Sequence, residues 1–410
     1  MWIGTQSITY TMMSNSSLRH VRNLRVLIAH NAYQHRGGED TVVESEIALL
    51  RAYGHEVATY TRSNDEVEGM PSLSLARQVL WSDVTIRDLV TLIERFRPDV
   101  IHVHNTFPLI SPSLYWVAAR HGVPVVQTLH NFRLLCAQAM FLRNDAVCED
   151  CLGRLPWLGV ARRCYRSSRA QSAVLVAMLG VHRALGTYRQ KVTRYIALND
   201  FCRDKFIAGG LPAERVMVKP NFVDVPPLVR RPVTSRFLFV GRLSPEKGVK
   251  TLVAAAAQVP DAVFEVVGDG PEAAELAGVA NVERRGLLSL DAVMQTMTGA
   301  ACLVMPSLWY ENFPRTLVEA FALGLPVIAS RLGALAELVR DGETGLLFTP
   351  GDPADLAAKV RGAMANPDAL RRMGESARRE YEAKYTPGVS YRQLMDIYQD
   401  AIDEVRGRGH

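Results

Sequence analysis

Arg242 and Lys247 stand in the run FVGRLSPEKGV (239–249), where an apolar, strand-like segment ends at Gly241 and a loop leads into a helix. Two cations beside a helix N-terminus can hold a diphosphate and stabilise charge building on a departing phosphate. Solvated surface cations are the competing reading. Further on, ENFPRTLVEA (311–320) sets Glu311 and Glu319 eight residues apart. A helix opening near Pro314 leaves Glu311 in the preceding loop and carries Glu319 well inside, while loop amides and the helix N-terminus face an anion. In the N-terminal half, Gly37-Gly38 follows the first apolar run and precedes the first helical pattern. Bare glycines let backbone approach a ligand closely and open a helix N-terminus to an anion; a tight turn needing positive φ would also use them. His104 and His130 fall at the ends of DVIHVHN and PVVQTLHN, the strand edge at which open parallel sheets bind ligands, and a histidine hydrogen-bonded in a loop is an equal reading for His104. His102 and His104 are expected on opposite sides of their strand.

Four of the six cysteines cluster as Cys136, Cys148, Cys151 and Cys164. Cys148-Glu-Asp-Cys151 is a C-x-x-C pair bracketed by single cysteines, and four thiolates can close a tetrahedral structural zinc site. The insertion around them, 136–164, is irregular and polar, so a metal staple would supply what a small core cannot. A redox pair, disulfides or packing thiols are the competing readings. Cys202 and Cys302 stand alone and are expected to pack.

From Cys151 to Arg194 there is no Asp or Glu, while Arg154, Arg162, Arg163, Arg166 and Arg169 open a basic series that continues to Arg194. Leu155, Trp157, Leu158, Val174, Leu175, Met178 and Leu179 lie among them. Such a stretch suits an anionic membrane surface or a lipid-linked diphosphate; a solvated helix face beside a core-facing one fits equally well.

The elements that must hold these residues alternate along the chain. LRVLIAH (24–30), HEVATYT, DVIHVHN, PVVQTLHN and RYIALND read as buried strands separated by helical patterns, the first with Val43, Ile47 and Leu50 on one face. After a Pro-rich basic break the march restarts with RFLFVGR, AVFEVVGDG, CLVMPS, LPVIAS and TGLLFTPGD, and three helices close the chain. Continuous apolar runs suit parallel strands covered on both faces, and alternation with helices suits βαβ units. The fold class expected is therefore α/β, with two Rossmann-like, doubly wound domains and a cleft between them. The boundaries expected are a disordered leader at 1–23, a first domain at 24–224, a linker at 225–234, a second domain at 235–384, and a closing helix at 385–410.

At 410 residues the chain is too long for one ordinary core. With 48% apolar and 22% charged residues and a net charge of +5, it has a globular composition and no overall pull toward nucleic acid. There is no apolar h-region behind a basic start, and no run of roughly 18 apolar residues suited to a membrane span. Cysteine usage fits a reduced, cytoplasmic setting, with the basic stretch allowing peripheral association at the inner face of the membrane.

GRLSPEKG, VVGDGPE, ENFPRTLVEAFALGLPVIAS and DGETGLLFTPGDPADLA resemble the C-terminal half of retaining GT-B glycosyltransferases of family 4. GGED, RPDVIHVHN and VVQTLHN resemble that family's acceptor-side domain. The resemblance implies a nucleotide-sugar donor, UDP- or GDP-linked, and no catalytic metal. It implies that Arg242 and Lys247 bind the donor diphosphate, Glu319 the ribose, and that Glu311 lies against the transferred sugar with His130 contacting it from the other domain. The implied activity is transfer of a hexose-type sugar to a glycan or lipid-linked acceptor in cell-surface polysaccharide synthesis. Where the family has Gly-Phe-Gly this chain has Asn312-Phe313-Pro314, which removes one backbone donor; Arg315 is the nearest replacement. Two other readings are an oxidoreductase, since Gly268-Asp-Gly-Pro-Glu-Ala273 matches G-x-G-x-x-A but follows the second strand of its half, and a non-catalytic nucleotide-sugar binder. Donor, acceptor, linkage and oligomeric state are not specified by the sequence.

Overall fold

The computed structural model describes residues 22–34, 37–226, 228–229 and 235–407. All but the last two residues of the expected leader, and Pro227 with Arg230–Thr234 of the expected linker, lie outside the described residues.

The first half contributes strands β1 (Arg25–Ala32), β2 (Glu56–Ser63), β3 (Val100–Asn105), β4 (Val125–Thr128), β5 (Leu142–Arg143), β6 (Ala146–Val147), β7 (Arg194–Ala197) and β8 (Val216–Val218). The second contributes β9 (Arg236–Val240), β10 (Val263–Val267), β11 (Val282–Gly286), β12 (Cys302–Met305), β13 (Val327–Ser330) and β14 (Gly345–Phe348). Two six-stranded parallel sheets result, ordered β2-β1-β3-β4-β7-β8 and β11-β10-β9-β12-β13-β14, with β5 and β6 as a separate hairpin. The apolar runs form strands because helices cover both faces. Val26 and Ile28 pack with one cluster of buried residues while Leu27 and Ala29 pack with another. Phe237 and Leu238 divide in the same way between the two clusters of the second sheet.

Strand order reverses between β1 and β3 in the first sheet and between β9 and β12 in the second. At such a reversal the connections leave in opposite directions and open a crevice beyond the strands' carboxyl ends. Gly37-Gly38 follows β1; Arg242 and Lys247 follow β9; Glu311 and Glu319 follow β12. The α/β pattern therefore carries most of the chemistry-bearing residues to two crevices.

The final helix, Pro387–Gly407, returns to the first sheet. Tyr391, Leu394, Met395, Tyr398 and Ile402 pack with Val26, Ile28, Val100, Val126 and Ile196. His55 Nε2 lies 2.9 Å from the Tyr391 hydroxyl, and His102 Nδ1 lies 2.7 Å from that of Tyr398. Residues near position 390 thus complete the core that begins at residue 24. The chain crosses between sheets twice, and the crossings are tied where Tyr381 donates to the Val223 carbonyl at 3.0 Å. Among the described residues no helix is long and apolar enough to cross a membrane.

Candidate active site

After β9 the backbone turns through Pro245–Lys247 into Gly248, whose φ is +72°. A Cβ there would lie 1.9 Å from the Pro306 carbonyl oxygen, so only glycine lets this turn meet the loop after β12. Leu308 N–H donates to the Glu246 carbonyl at 2.9 Å and fastens the two loops together. Their contact brings Lys247 Nζ to 2.6 Å from Glu311 Oε1, and Ser307 Oγ donates to the same oxygen at 2.8 Å. Glu311 is buried, and Lys247 also lies over the Trp309 ring at 5.3 Å. Arg242 is exposed and pairs with no carboxylate among the described residues. The helix after this loop runs Arg315–Ala322, with Pro314 extended as its N-cap, so Glu311 stands before it and Glu319 inside it. Glu319 is buried beside Arg315, 3.6 Å away; burial raises its carboxyl above the usual range, with Arg315 opposing. Arg315 Nη1 is itself buried without a hydrogen-bond partner.

Gly268 and Gly270 have a structural reason that disposes of the dinucleotide match. With φ of +141° and +158°, they carry the loop after β10 across the Arg242 loop. Cβ atoms there would lie 1.9 Å from the Gly241 oxygen and 2.4 Å from the Leu243 oxygen. A one-turn 3-10 helix, Ala273–Leu276, follows instead of the long helix that a pyrophosphate-binding turn opens.

On the first sheet, neither Gly37 nor Gly38 has a left-handed φ: Gly37 is extended at −119°, and a Cβ on Gly38 would meet nothing within 4 Å. The tight-turn reading therefore does not explain the pair. Asp40 organises the approach, accepting from Gly37 N–H at 2.8 Å and lying 2.8 Å from His30 Nε2. Glu39 is half-buried and accepts from the Tyr33 hydroxyl at 3.0 Å; desolvation pushes its carboxyl up to about 8, opposed by that hydrogen bond.

His102 and His104 do not face opposite sides. Residues two apart on a strand share a face, and their ring centroids are 4.3 Å apart. His102 is satisfied by Tyr398 and by Thr128 Oγ1 at 2.8 Å, which makes it a core histidine. His104 Nδ1 and His130 Nε2 are 2.9 Å apart, with the rings stacked. Behind them Glu46 Oε2 lies 3.4 Å from His104 Nε2, and Lys219 Nζ lies 3.3 Å from Glu46 Oε1. Glu46, His102 and His104 bring three ligand atoms within 4.8 Å of one another. Both nitrogens of His102 are engaged and Lys219 Nζ occupies the Glu46 side, so this set is a buried polar cluster, in which His104 Nε2 and Glu46 Oε1 have no hydrogen-bond partner among the described residues. Burial, reinforced by His30 and Lys219 against Glu46, lowers His130 to about 3, so its imidazole is neutral near pH 7.

The two halves meet at the Glu311 loop. Asn199 Nδ2 donates to the Asn312 carbonyl, and Cys202 Sγ lies 3.2 Å from Asn312 Oδ1. Tyr310 packs its ring against Phe132, Phe141 and Phe201 of the first half. Asn312, the departure from Gly-Phe-Gly, is thus a tether between halves. The sequence pattern did not point to Ser307, Tyr310 or Glu46. Glu46 alone carried a signal: an acidic residue within the stripe of Val42, Val43, Leu49 and Leu50 that the first helix buries.

This arrangement of paired parallel sheets matches known proteins. The model of Glycosyltransferase Family 4 matches residues 36–226, and that of Glycosyl transferases group 1 matches residues 230–380. The chain is 30% identical to a 2-deoxystreptamine glucosyltransferase of Streptomyces kanamyceticus, over 76% of this chain and 78% of that protein. It belongs to glycosyltransferase family 4. The transferase is also 27% identical to a D-inositol 3-phosphate glycosyltransferase of Catenulispora acidiphila, over 94% and 96% of the two chains. Its fold is GT-B. HepE of Anabaena, solved with UDP and glucose, superposes with a TM-score of 0.62 at 18% identity, over 91% of this transferase and 99% of that chain.

Two expectations change in the basic stretch. Leu175, Met178 and Leu179 are buried in the core, so the apolar residues left on the surface are Leu155 and Trp157, joined by Val181 and Leu185. Arg162 pairs with Asp150, Arg194 with Glu404, and Arg183 donates to the backbone carbonyls of Arg154 and Leu134. Arg154, Arg163, Arg166, Arg169 and Arg189 remain exposed.

Proposed function

We propose that this family-4 transferase moves a hexose-type sugar from a UDP- or GDP-linked donor, with retention of anomeric configuration, to a glycan or lipid-linked acceptor in cell-surface polysaccharide synthesis. The contact of Lys247 with Glu311 at 2.6 Å, beside exposed Arg242 and at a strand-order reversal, carries the reading. Arg242 and Lys247 receive the donor diphosphate, Glu319 the ribose, and Glu311 the hydroxyls of the sugar. His130, neutral and anchored on His104, donates or accepts one hydrogen bond to that sugar. Gly37-Gly38 leaves a helix N-terminus open to the donor from the other sheet. The presence of UDP and glucose in the HepE crystal structure supports a UDP-linked donor.

In the proposed step the acceptor oxygen bonds to the anomeric carbon on the face from which the diphosphate departs. The bond from that carbon to the diphosphate oxygen breaks with its electron pair on the diphosphate, which takes the acceptor's proton. The two cations neutralise the charge that develops, and their alignment supplies most of the catalysis. No metal is required, because these cations do the work of one.

Acceptor choice rests on the first half. Trp157 is 59% exposed and Leu155 41%, near Arg154, Arg163 and Arg166, a composition suited to the headgroup boundary of an anionic leaflet. We read this as peripheral attachment at the cytoplasmic face, close to lipid-linked acceptors. The test is a panel of UDP- and GDP-sugars offered with lipid-linked and soluble glycans, followed by NMR of the fresh product. A product keeping the donor's anomeric configuration is expected. Inversion would overturn the mechanism, and failure to turn over any donor that binds would leave a non-catalytic sugar-nucleotide binder.

A further inference from the structure

We infer that Cys136, Cys148, Cys151 and Cys164 form a structural four-thiolate zinc site, which holds the Glu311 loop in place through Glu149.

The local backbone is built to present the thiols. β5 and β6 turn through Asn144 and Asp145, with φ of +50° and +56°, and Cys148 N–H closes the hairpin on the Phe141 carbonyl at 2.7 Å. The Leu152 N–H then donates to the Glu149 carbonyl at 2.9 Å, folding Cys148 and Cys151 into one knuckle. Cys136 lies in a single turn, its N–H on the Phe132 carbonyl at 2.9 Å, and Cys164 N–H donates to the Gly159 carbonyl at 2.8 Å. A Cβ on Gly159 would come 2.8 Å from Ala137 Cβ, so this glycine lets the Cys164 limb close on the Cys136 limb. All four cysteines, free of disulfides, line one cavity together with Arg143 and Arg162.

Three observations favour metal over the other uses of four thiols. First, among the described residues seven of the nine non-glycine positions with positive φ fall between Ala139 and Ser167, so this segment holds strained backbone that its surroundings must impose. Second, the C-x-x-C follows a hairpin and lies in turns, whereas a thioredoxin-like redox pair accompanies a βαβ unit. Third, four thiolates around a dication carry a net negative charge, and Arg143 and Arg162 at the cavity wall match it. Soft sulfur donors in a closed tetrahedral set select zinc over calcium or magnesium. No three of the four sulfurs lie within 4.8 Å of one another in this structure. Binding would draw them to edges of about 3.8 Å, the spacing of a tetrahedron with zinc–sulfur bonds of ~2.3 Å.

The knuckle reaches the active site. Glu149, between its two cysteines, accepts from Lys205 Nζ at 2.6 Å and from the Tyr310 hydroxyl. Tyr310 precedes Glu311. A metal that fixes Cys148 and Cys151 therefore fixes Glu149, and with it the loop that positions Glu311.

Reduced protein purified without chelator should contain about one zinc per chain. Replacement by Co2+ should give the intense thiolate-to-cobalt charge-transfer absorption of a tetrahedral sulfur site. Cys151→Ser should lose that absorption and expose 136–167 to protease. Glu149→Gln should keep the metal yet lower kcat several-fold. Absence of zinc together with absence of the cobalt band in folded wild-type protein would overturn the assignment, even if Cys151→Ser fails to fold. A wild-type zinc count and cobalt band would stand whether or not the transfer reaction is the one proposed above. Metal with unchanged kcat in Glu149→Gln would overturn the link to Glu311.

Discussion

Lys247 Nζ and Glu311 Oε1 lie 2.6 Å apart across the reversal in strand order of the second sheet. A cation that follows β9 and a carboxylate that follows β12 neutralise each other, and Ser307 donates to the same carboxylate oxygen. In the proposed cycle an arriving diphosphate competes for Lys247, which frees Glu311 to meet the sugar. Phosphate recognition and sugar recognition are then coupled through a single contact.

The two glutamates should separate kinetically. Glu319 is assigned to the ribose, a contact made equally before and during transfer, so Glu319→Gln should mainly raise donor KM. Glu311→Gln should mainly lower kcat, by roughly tenfold to a hundredfold. Steady-state kinetics against donor concentration decides it, and the reverse pattern would mean that the roles are exchanged.

Gly248→Ala should cost about 2–4 kcal/mol, combining the penalty of a left-handed φ with overpacking against the Pro306 carbonyl. The urea midpoint should fall and donor KM rise, because the same turn carries Lys247. Gly38→Ala, with open space at its Cβ and no left-handed φ, should leave the unfolding free energy within about 0.5 kcal/mol of wild type. If Gly38→Ala also leaves donor KM unchanged, the glycine pair does not serve the ligand.

His130 has a folded-state value of about 3 against an ordinary 6.5. Between these values the unfolded chain binds a proton that the folded chain refuses, so stability should rise with pH from about 3 to 6.5 and then level off. His102 and His104, also held well below 6.5 by burial, act in the same direction. Thermal melts across this window check the sign, and His130→Gln should flatten part of the slope. A slope of opposite sign would mean that the cluster is charged in the folded state.

Wild-type protein should bind anionic vesicles at low salt and release as salt rises, each arginine near the surface adding about 1 kcal/mol. Trp157→Ala combined with Arg163, Arg166 and Arg169→Gln should abolish sedimentation with vesicles while nucleotide release from the donor persists. Indifference of the wild type to vesicles would make a soluble acceptor the better assignment.

Much of this architecture was legible because continuous apolar runs have one comfortable home, the middle of a covered parallel sheet. β8 and β11 escaped notice because they are edge strands: VMV is three residues long, and VERRG has three charged residues in a row and a single apolar one. Helix Pro387–Gly407 was recognisable as a helix, yet nothing local says that Tyr391 and Tyr398 pack on the first sheet. In the site, Arg242, Lys247, Glu311 and Glu319 were legible from strand–glycine–cation order and from helix placement. The Ser307 and Tyr310 contacts were not, because they depend on how loops from distant segments meet. The face shared by His102 and His104 was readable from strand periodicity, and the expectation of opposite faces contradicted it.

The central claim is that Arg242 and Lys247 neutralise a departing nucleoside diphosphate. Its most direct test is nucleoside diphosphate release from the preferred sugar nucleotide by wild type, Arg242→Ala and Lys247→Ala, each checked for an unchanged circular dichroism spectrum. A charge-assisted contact contributes on the order of 1.5–3 kcal/mol, so each substitution should lower kcat/KM at least about tenfold. Wild-type rates in both folded variants would contradict the account.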